Sequence, residues 1–445
     1  MDKERYIAAL EISSSKIVGT VGRIDDKGQL DVLAVEQEKG VEWVRHGIIQ
    51  NLEETGIRIS RIIEKLERRA VIAPRRINSV FIGLSGRSLH SIKAEVKISL
   101  PEETEINEEI IKRLEQDVWR TEIDSSLEIV DAVPRYYVIG KQATHSPIGV
   151  LGNEISAVYD VIVCRPEMKK NIDRTVREKL HIDTCGYVVT ALSAGQLILS
   201  NDEKRLGCML VDLGAETTTV TIYKNGNLIY FDTIPLGSRN ITRDLTSLNV
   251  LEEAAEEIKM TSGNAIAADK PSTLSLGGLR LADVNDIIAA RSEEIVANII
   301  EQIEYAGLKQ TDLPGGIIGI GGGFKMNGMT DLIARESGLP VRRGRLPQYV
   351  RLDDIKSPSS ETIEAVSILY AGATHSDVEC LEEPERDELP TMGDPNEEYI
   401  IEDEEELPVN RPSRHTQRGG GFFGKIGKFV GGIFGDNGDD DTELI

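Results

Sequence analysis

The sequence predicts an α/β protein built from two related halves. An α+β subdomain is inserted in the first half, and an acidic linker and an amphipathic helix follow the second. Three observations predict this. The first is a weak internal repeat: YIAALEISSSKIVGTVGRIDDKGQLDVLAVE from residue 6 and CMLVDLGAETTTVTIYKNGNLIYFDTIP from residue 208. The second is helical periodicity behind each copy, at 52–70, 164–180, 249–262 and 284–306. The third is a break in that alternation over 80–163, followed much later by a change of composition after residue 375.

Each repeat copy reads as a short apolar strand ending in an acid, Glu11 or Asp212, then a tight polar segment and a second strand. A turn signal follows (Asp26-Lys27-Gly28 or Lys224-Asn225-Gly226), and a third strand closes the copy. Glycine at such turns supplies the positive φ that a tight hairpin needs. The stretch 80–163 reads as strands around SVFIGLSG and SIKAEVKIS, a helix over NEEIIKRLEQDVWR, and strands around PRYYVIG and AVYDVIVC.

Of 445 residues, 40% are hydrophobic and 28% charged, which excludes a polytopic membrane protein, a collagen and a wholly disordered chain. The net charge of −24 argues against a general nucleic-acid binder, which needs a basic face. Much of the acidity is a tail: residues 376–445 hold 20 acids and six bases. Residues 376–418 have many acids, five prolines and few apolar residues, so they are expected to form a linker that cannot repay the entropy of ordering.

MDKERYIAALEI lacks the long apolar core of a signal peptide, and no run of about 18 apolar residues exists. The four cysteines (164, 185, 208, 380) form no C-x-x-C pair and read as thiols of a reducing cytosol. The six histidines are scattered and join no metal or nucleophile constellation.

A strand that ends in an acid and turns sharply sets backbone N–H groups around a phosphate, with the carboxylate beside the accompanying metal. Two such turns facing each other form a clamp for β/γ-phosphates and Mg²⁺. In the second, Asp212 would hold Mg²⁺ through water and Gly214 would let backbone approach closely. In the first, Ser13, Ser14, Ser15 and Lys16 offer donors, with Lys16 the cationic partner. Either turn alone also reads as an ordinary hairpin with a solvated acid.

In GGIIGIGGGFKMNGM (315–329) an apolar strand runs into Gly321, Gly322 and Gly323, whose bare backbone can lie flat against a base or sugar. It lacks the spacing of a dinucleotide fingerprint. Glu256 and Lys259 share a helix face and could bracket ribose and adenine, although the spacing alone favours a surface salt bridge. GGGFFGK (419–425) fits G-x-x-x-x-G-K, but Ile426 stands where a phosphate loop needs Ser or Thr.

On a helical wheel Phe422, Phe423, Ile426, Phe429, Val430, Ile433 and Phe434 share an arc of about 140°. Four internal glycines cost about 1 kcal/mol each against alanine, so the helix should not form in water. Burial of seven large apolar residues, at roughly 1.5–3 kcal/mol each when complete, favours it once a membrane is present. Arg411, Arg414 and Arg418 would be drawn to anionic lipid, and the acids at 436–443 oppose them.

Two phosphate turns, a glycine cluster and E-x-x-K, in this order, resemble the actin/hexokinase/chaperone ATPase superfamily. The insertion, linker and terminal helix resemble the FtsA family, the bacterial actin homologues of cell division. GVEWVRHGIIQNLEETG and DAVPRYYVIG with PIGVLGNEISAVYDVIVC in the insertion carry the same likeness, as does Glu11 where actins have Asp.

The resemblance implies an actin-like ATPase fold. Its first lobe would comprise 1–79, 164–205 and 356–375, with the inserted subdomain at 80–163. The second lobe would comprise 206–237 and 312–355, with an outer subdomain at 238–311. The linker 376–418, a membrane helix at 419–435 and an acidic tail at 436–445 complete it.

It also implies ATP and Mg²⁺ as cofactors. ATP would be held by Ser14, Ser15, Lys16, Asp212, Gly214, Glu256, Lys259 and Gly321–Gly323, with Glu11 and Asp212 at the metal. Implied partners are the FtsZ C-terminal tail near Arg291, further copies of the chain in a filament, anionic lipid and later division proteins, on the cytoplasmic membrane face at the septum. The family pattern is broken by SSS in the first turn, Ala215-Glu216 in the second and Ile320 in the sugar strand. Glu216 would repel phosphates unless it points to metal or solvent. Ala191 falls where a water-positioning acid or amide would stand, so no catalytic residue is assigned and hydrolysis is expected to be slow or absent. A PilM-like adaptor of a pilus or secretion assembly, or a sugar or acetate kinase on the same fold, are the alternatives; neither has a use for the terminal helix.

Overall fold

The computed structural model describes residues 5–25, 28–40, 43–267, 275–276, 278–352 and 362–383. The helix expected at 419–435, the tail at 436–445 and the expected linker beyond 383 lie outside these residues.

The two repeat copies fold into sheets of the same topology. In the first lobe Tyr6–Ile12 and Lys16–Ile24 form a hairpin with Ile12 opposite Ile17, and Leu30–Lys39 continues the meander. Ser79–Leu84 lies parallel to Tyr6–Ile12 on its other side, and Asp183–Val189 lies parallel beyond that. In the second lobe Cys208–Leu213, Thr218–Lys224 and Asn227–Ile234 form the meander, with Ile317–Ile320 and Val341–Arg343 as the parallel pair. Each acid-ending strand is therefore central, so its terminal turn is carried on a rigid sheet.

The first-lobe sheet is covered on both faces. A Cβ on Gly19 would lie 2.4 Å from Ile62 of the helix Leu52–Glu67, whereas one on Gly22 would lie 2.8 Å from Leu369 of the helix Ile363–His375. Positions of opposite parity on one strand face opposite sides, which is why KIVGTVGRI reads as a nearly continuous apolar run. The helix 363–375 also touches the sheet at Gly372, where a Cβ would lie 2.6 Å from the Phe81 ring. In the second lobe Ser238–Leu245, Glu252–Ser262 and Leu281–Tyr305 are helices, the first packed on the other two.

The insertion is a four-stranded antiparallel sheet, ordered Gln142–Thr144, Glu128–Ile139, Leu151–Cys164, His90–Glu105, with the helix Glu108–Val118 beside it. Ile98, Leu114, Val118, Tyr159 and Val161 form a separate core there.

Three boundaries differ from the expected ones. Ser79–Leu84 pairs within the first-lobe sheet, so the insertion starts later than 80. Val350–Leu352, assigned to the second lobe, pairs with Leu30–Val32 of the first. Residues 376–383, expected as linker, return to the first lobe: Leu381–Glu382 pairs with Arg76–Ile77, and Cys380 N donates to Tyr6 O at 2.9 Å. The acids around them hide the two buried side chains, Cys380 and Leu381, that secure this return.

Candidate functional site

The first turn closes by Ser13, whose N–H and hydroxyl both donate to Lys16 O, at 3.0 and 2.9 Å. Lys16 Nζ lies 3.4 Å from Glu11 Oε2, both side chains largely buried. The second turn closes by Gly214 N–H donating to Thr217 O at 2.9 Å. Ser238 and Arg239, opening a helix, donate their N–H groups to Gly214 O and Ala215 O at 2.9 and 2.7 Å, fixing this turn against Gly237.

The turns face each other across the lobes. Arg239 Nη1 donates to Glu216 Oε1 and Nη2 to Ser14 O, each at 2.8 Å. His46 N–H of the first lobe donates to Glu216 Oε2 at 2.7 Å, and Arg243 lies 3.3 Å from Glu216 Oε1. Glu216 thus points neither to metal nor to solvent. Burial pushes its carboxyl up, but the His46 N–H and the arginine hold it below the usual carboxylate range. Nothing in the sequence points to Arg239, because a lone arginine 23 residues after an acid carries no spacing signal.

Asp212 ends its strand beside this junction. Loss of water pushes its carboxyl well above the usual range, Glu364 and Glu11 add to that, and Lys16 opposes it. Glu364 also escaped the sequence reading. It is buried in the first turn of the helix 363–375, and its Oε2 has no hydrogen-bond partner among the described residues. That helix packs on Thr190–Ile198 through Ser367 Oγ and Ser193 Oγ, 2.9 Å apart. Glu364 thus acts on Asp212 from a helix that neighbours the one carrying Ala191.

The three glycines have different reasons. Gly321 has φ +87, and a Cβ there would lie 2.5 Å from Leu213 O and 2.7 Å from Asp212 Oδ1. Gly323 would strike Leu213 Cγ at 2.3 Å. Gly322 is exposed with open space before it, so its backbone is the one free to receive a flat group.

Across the second lobe Lys259 is buried; its Nζ donates to Ser238 O, Thr242 Oγ1 and Glu256 Oε2 at 3.2, 2.8 and 2.6 Å. This is a lock between two helices rather than a surface salt bridge. Glu256 keeps nearly half its side chain in solvent.

The donor set fits Mg²⁺-polyphosphate. Glu11, Asp212 and Lys16 gather at one end of the paired turns, and Gly322 leaves backbone open. Among the described residues no three His, Cys, Asp or Glu side chains form a metal cage.

Arg291, assigned to partner contact, shares a groove with Arg243, which borders this junction. It pairs with Asp244 at 2.5 Å and with Glu294, beside a groove of about 570 Å³ that also contains Arg243 and Ile287. Seven further assigned residues, Phe422 to Phe434, lie outside the described residues.

Two repeated lobes with facing strand-end turns define the actin-like ATPase fold. The PilM–PilN type IV pilus biogenesis complex shares it at TM-score 0.59 and 15% identity, covering 82% of this chain and 98% of that one. Residues 209–365 match the family described as Cell division protein FtsA, and 86–163 match the SHS2 domain inserted in FtsA. The cell division protein FtsA of Porphyromonas gingivalis is 31% identical over 379 residues, 82% of this chain and 77% of that protein. That of Neisseria meningitidis is 27% identical over 386 residues, 83% and 90% of the two chains. The chain belongs to the FtsA family of cell division proteins.

Proposed function

We propose that this chain binds ATP with Mg²⁺ between its lobes, assembles into an actin-like filament on the cytoplasmic membrane face at the septum, anchors FtsZ there and recruits later division proteins. The observation that carries nucleotide binding is the pair of strand-end turns, joined by one arginine, with Lys16, Glu11 and Asp212 gathered beside them.

In this reading Lys16 would face the phosphates, and Asp212 and Glu11 would hold the metal. Gly322 would lie along the nucleoside, and Glu256, held by the buried Lys259, would flank its sugar. The metal draws negative charge off the phosphate oxygens when bound. Hydrolysis is slow, so the bound state rather than the product is the output. The groove beside Arg291 and Arg243 takes the acidic FtsZ tail. Among the described residues no helix is long and apolar enough to cross a membrane. The surface attachment therefore rests on the 419–435 sequence, seven apolar side chains against two lysines and glycines.

Flotation of vesicles containing anionic lipid, with ATP, tests the reading. The full chain should float and a chain ending at Arg418 should stay at the bottom; FtsZ-tail binding is then measured on both. If both float, or neither does, the anchor is wrong and a soluble adaptor or kinase reading replaces it.

A further inference from the structure

Two thiols far apart in sequence meet outside the cleft. Cys185 lies on Asp183–Val189, the edge strand of the first-lobe sheet. It sits at an irregularity in the ladder: Thr184 faces Val80 and Gly186 faces Phe81, which leaves Cys185 as an extra residue. Cys380 lies in the returning segment, its N–H bonded to Tyr6 O and its O accepting from Asn78 N at 3.1 Å. Both therefore flank the start of the strand Ser79–Leu84. Their Sγ atoms are 3.6 Å apart.

We propose that Cys185 and Cys380 are a reversible disulfide site, closed by hydroperoxides, which staples residues 376–383 to the edge of the first-lobe sheet. The sulfurs must approach by roughly 1.5 Å to reach a bond of about 2.05 Å. A bulged edge residue and a two-residue strand give the backbone that freedom.

Cys185 is the partly exposed member, and the hydrogen bond from the Cys380 thiol lowers its pKa, so it is the attacking thiolate. It displaces alcohol or water from the O–O bond, forming a sulfenic acid. Cys380 then attacks that sulfur; the S–S bond forms and hydroxide leaves, taking up the Cys380 proton as water. Sulfur loses two electrons and the peroxide gains them. Cys164 and Cys208 are fully buried, and burial pushes each thiol up to about 12, so both are internal controls. The staple would fix the root from which the chain continues into 384–445.

The test is disulfide mapping of the full chain after hydrogen peroxide, with amide exchange measured before and after reductant. The expected result is one Cys185–Cys380 peptide pair within a single chain, at least tenfold slower exchange at 376–383 and 76–80, and reversal by reductant. Cys185→Ser should abolish both effects while matching the reduced protein. Four free thiols, a Cys185 sulfinate without cross-link, or bonds only between chains would overturn the proposal. So would a cross-link that leaves exchange at 376–383 unchanged.

Discussion

At the residue scale the site is decided by charges whose partners lie far off in sequence. Glu216 is 1% exposed and Arg239 8% exposed at the side chain, so each depends on the other. Breaking such a buried pair costs about 3–5 kcal/mol, although without Arg239 the carboxylate of Glu216 keeps the His46 N–H and the half-exposed Arg243. Arg239→Ala should therefore lower stability by that order in denaturant titration and loosen the two lobes, while Arg239→Ala with Glu216→Gln should recover part of the loss. No recovery in the double variant would mean that Arg239 acts through packing alone.

Asp212 carries the opposite sign. Its pKa is raised by burial, with Glu364 the next contributor, so its stabilising neutral form is complete below the ordinary value of 3.8 and is lost as pH rises through the raised value. Mg²⁺ favours the ionised carboxylate, so binding of Mg²⁺-ATP should release a proton. Titration calorimetry in buffers of different ionisation enthalpy reads that proton. Glu364→Gln should reduce the release; equal release in both proteins would separate Glu364 from the site.

At the element scale the sequence pattern is a good guide where periodicity is strong. The expected helix at 52–70 is Leu52–Glu67, and that at 284–306 is Leu281–Tyr305. Asn51 and Asn107 accept from the third residue of their helices and mark both N-termini. Legibility fails at short strands. Val350–Leu352 and Leu381–Glu382 are too short for alternation to register, and pairing alone defines them.

The helix 363–375 is set by close approach to the sheet. Gly372→Ala would drive a Cβ to within 2.6 Å of the Phe81 ring. Overpacking of this kind costs typically about 1–3 kcal/mol, read as a shift of the unfolding midpoint without change of slope. An unshifted midpoint would show that this helix can move away from the sheet.

At the scale of the whole molecule the chain crosses its own boundaries. The insertion, part of the first half by sequence, bonds to the second lobe: Ser91 Oγ donates to Phe231 O at 2.9 Å, and Arg135, paired with Asp160, reaches Ile229 O. The first strand is held by the end of the described chain, with Tyr6 N–H donating to Glu379 Oε1 at 2.9 Å and Arg5 bonded to Ser376 O. A chain ending at Glu383 should keep the stability of the body, whereas one ending at His375 should lose about 2–5 kcal/mol through Leu381 and its neighbours. Equal thermal midpoints for the two truncations would assign 376–383 no structural role.

The sequence by itself determined the doubled strand–turn–strand pattern, the acids Glu11 and Asp212 at its strand ends, the helix spacing behind each copy and the family likeness. These are local: an apolar run, a period and a turn residue each act within about ten neighbours. Only the tertiary structure decided that Glu216 faces Arg239 and His46, that Glu364 approaches Asp212 from 152 residues away, and that Cys380 meets Cys185. Burial makes such pairings matter, because a charge or thiol deprived of water takes its properties from whichever group the fold brings beside it.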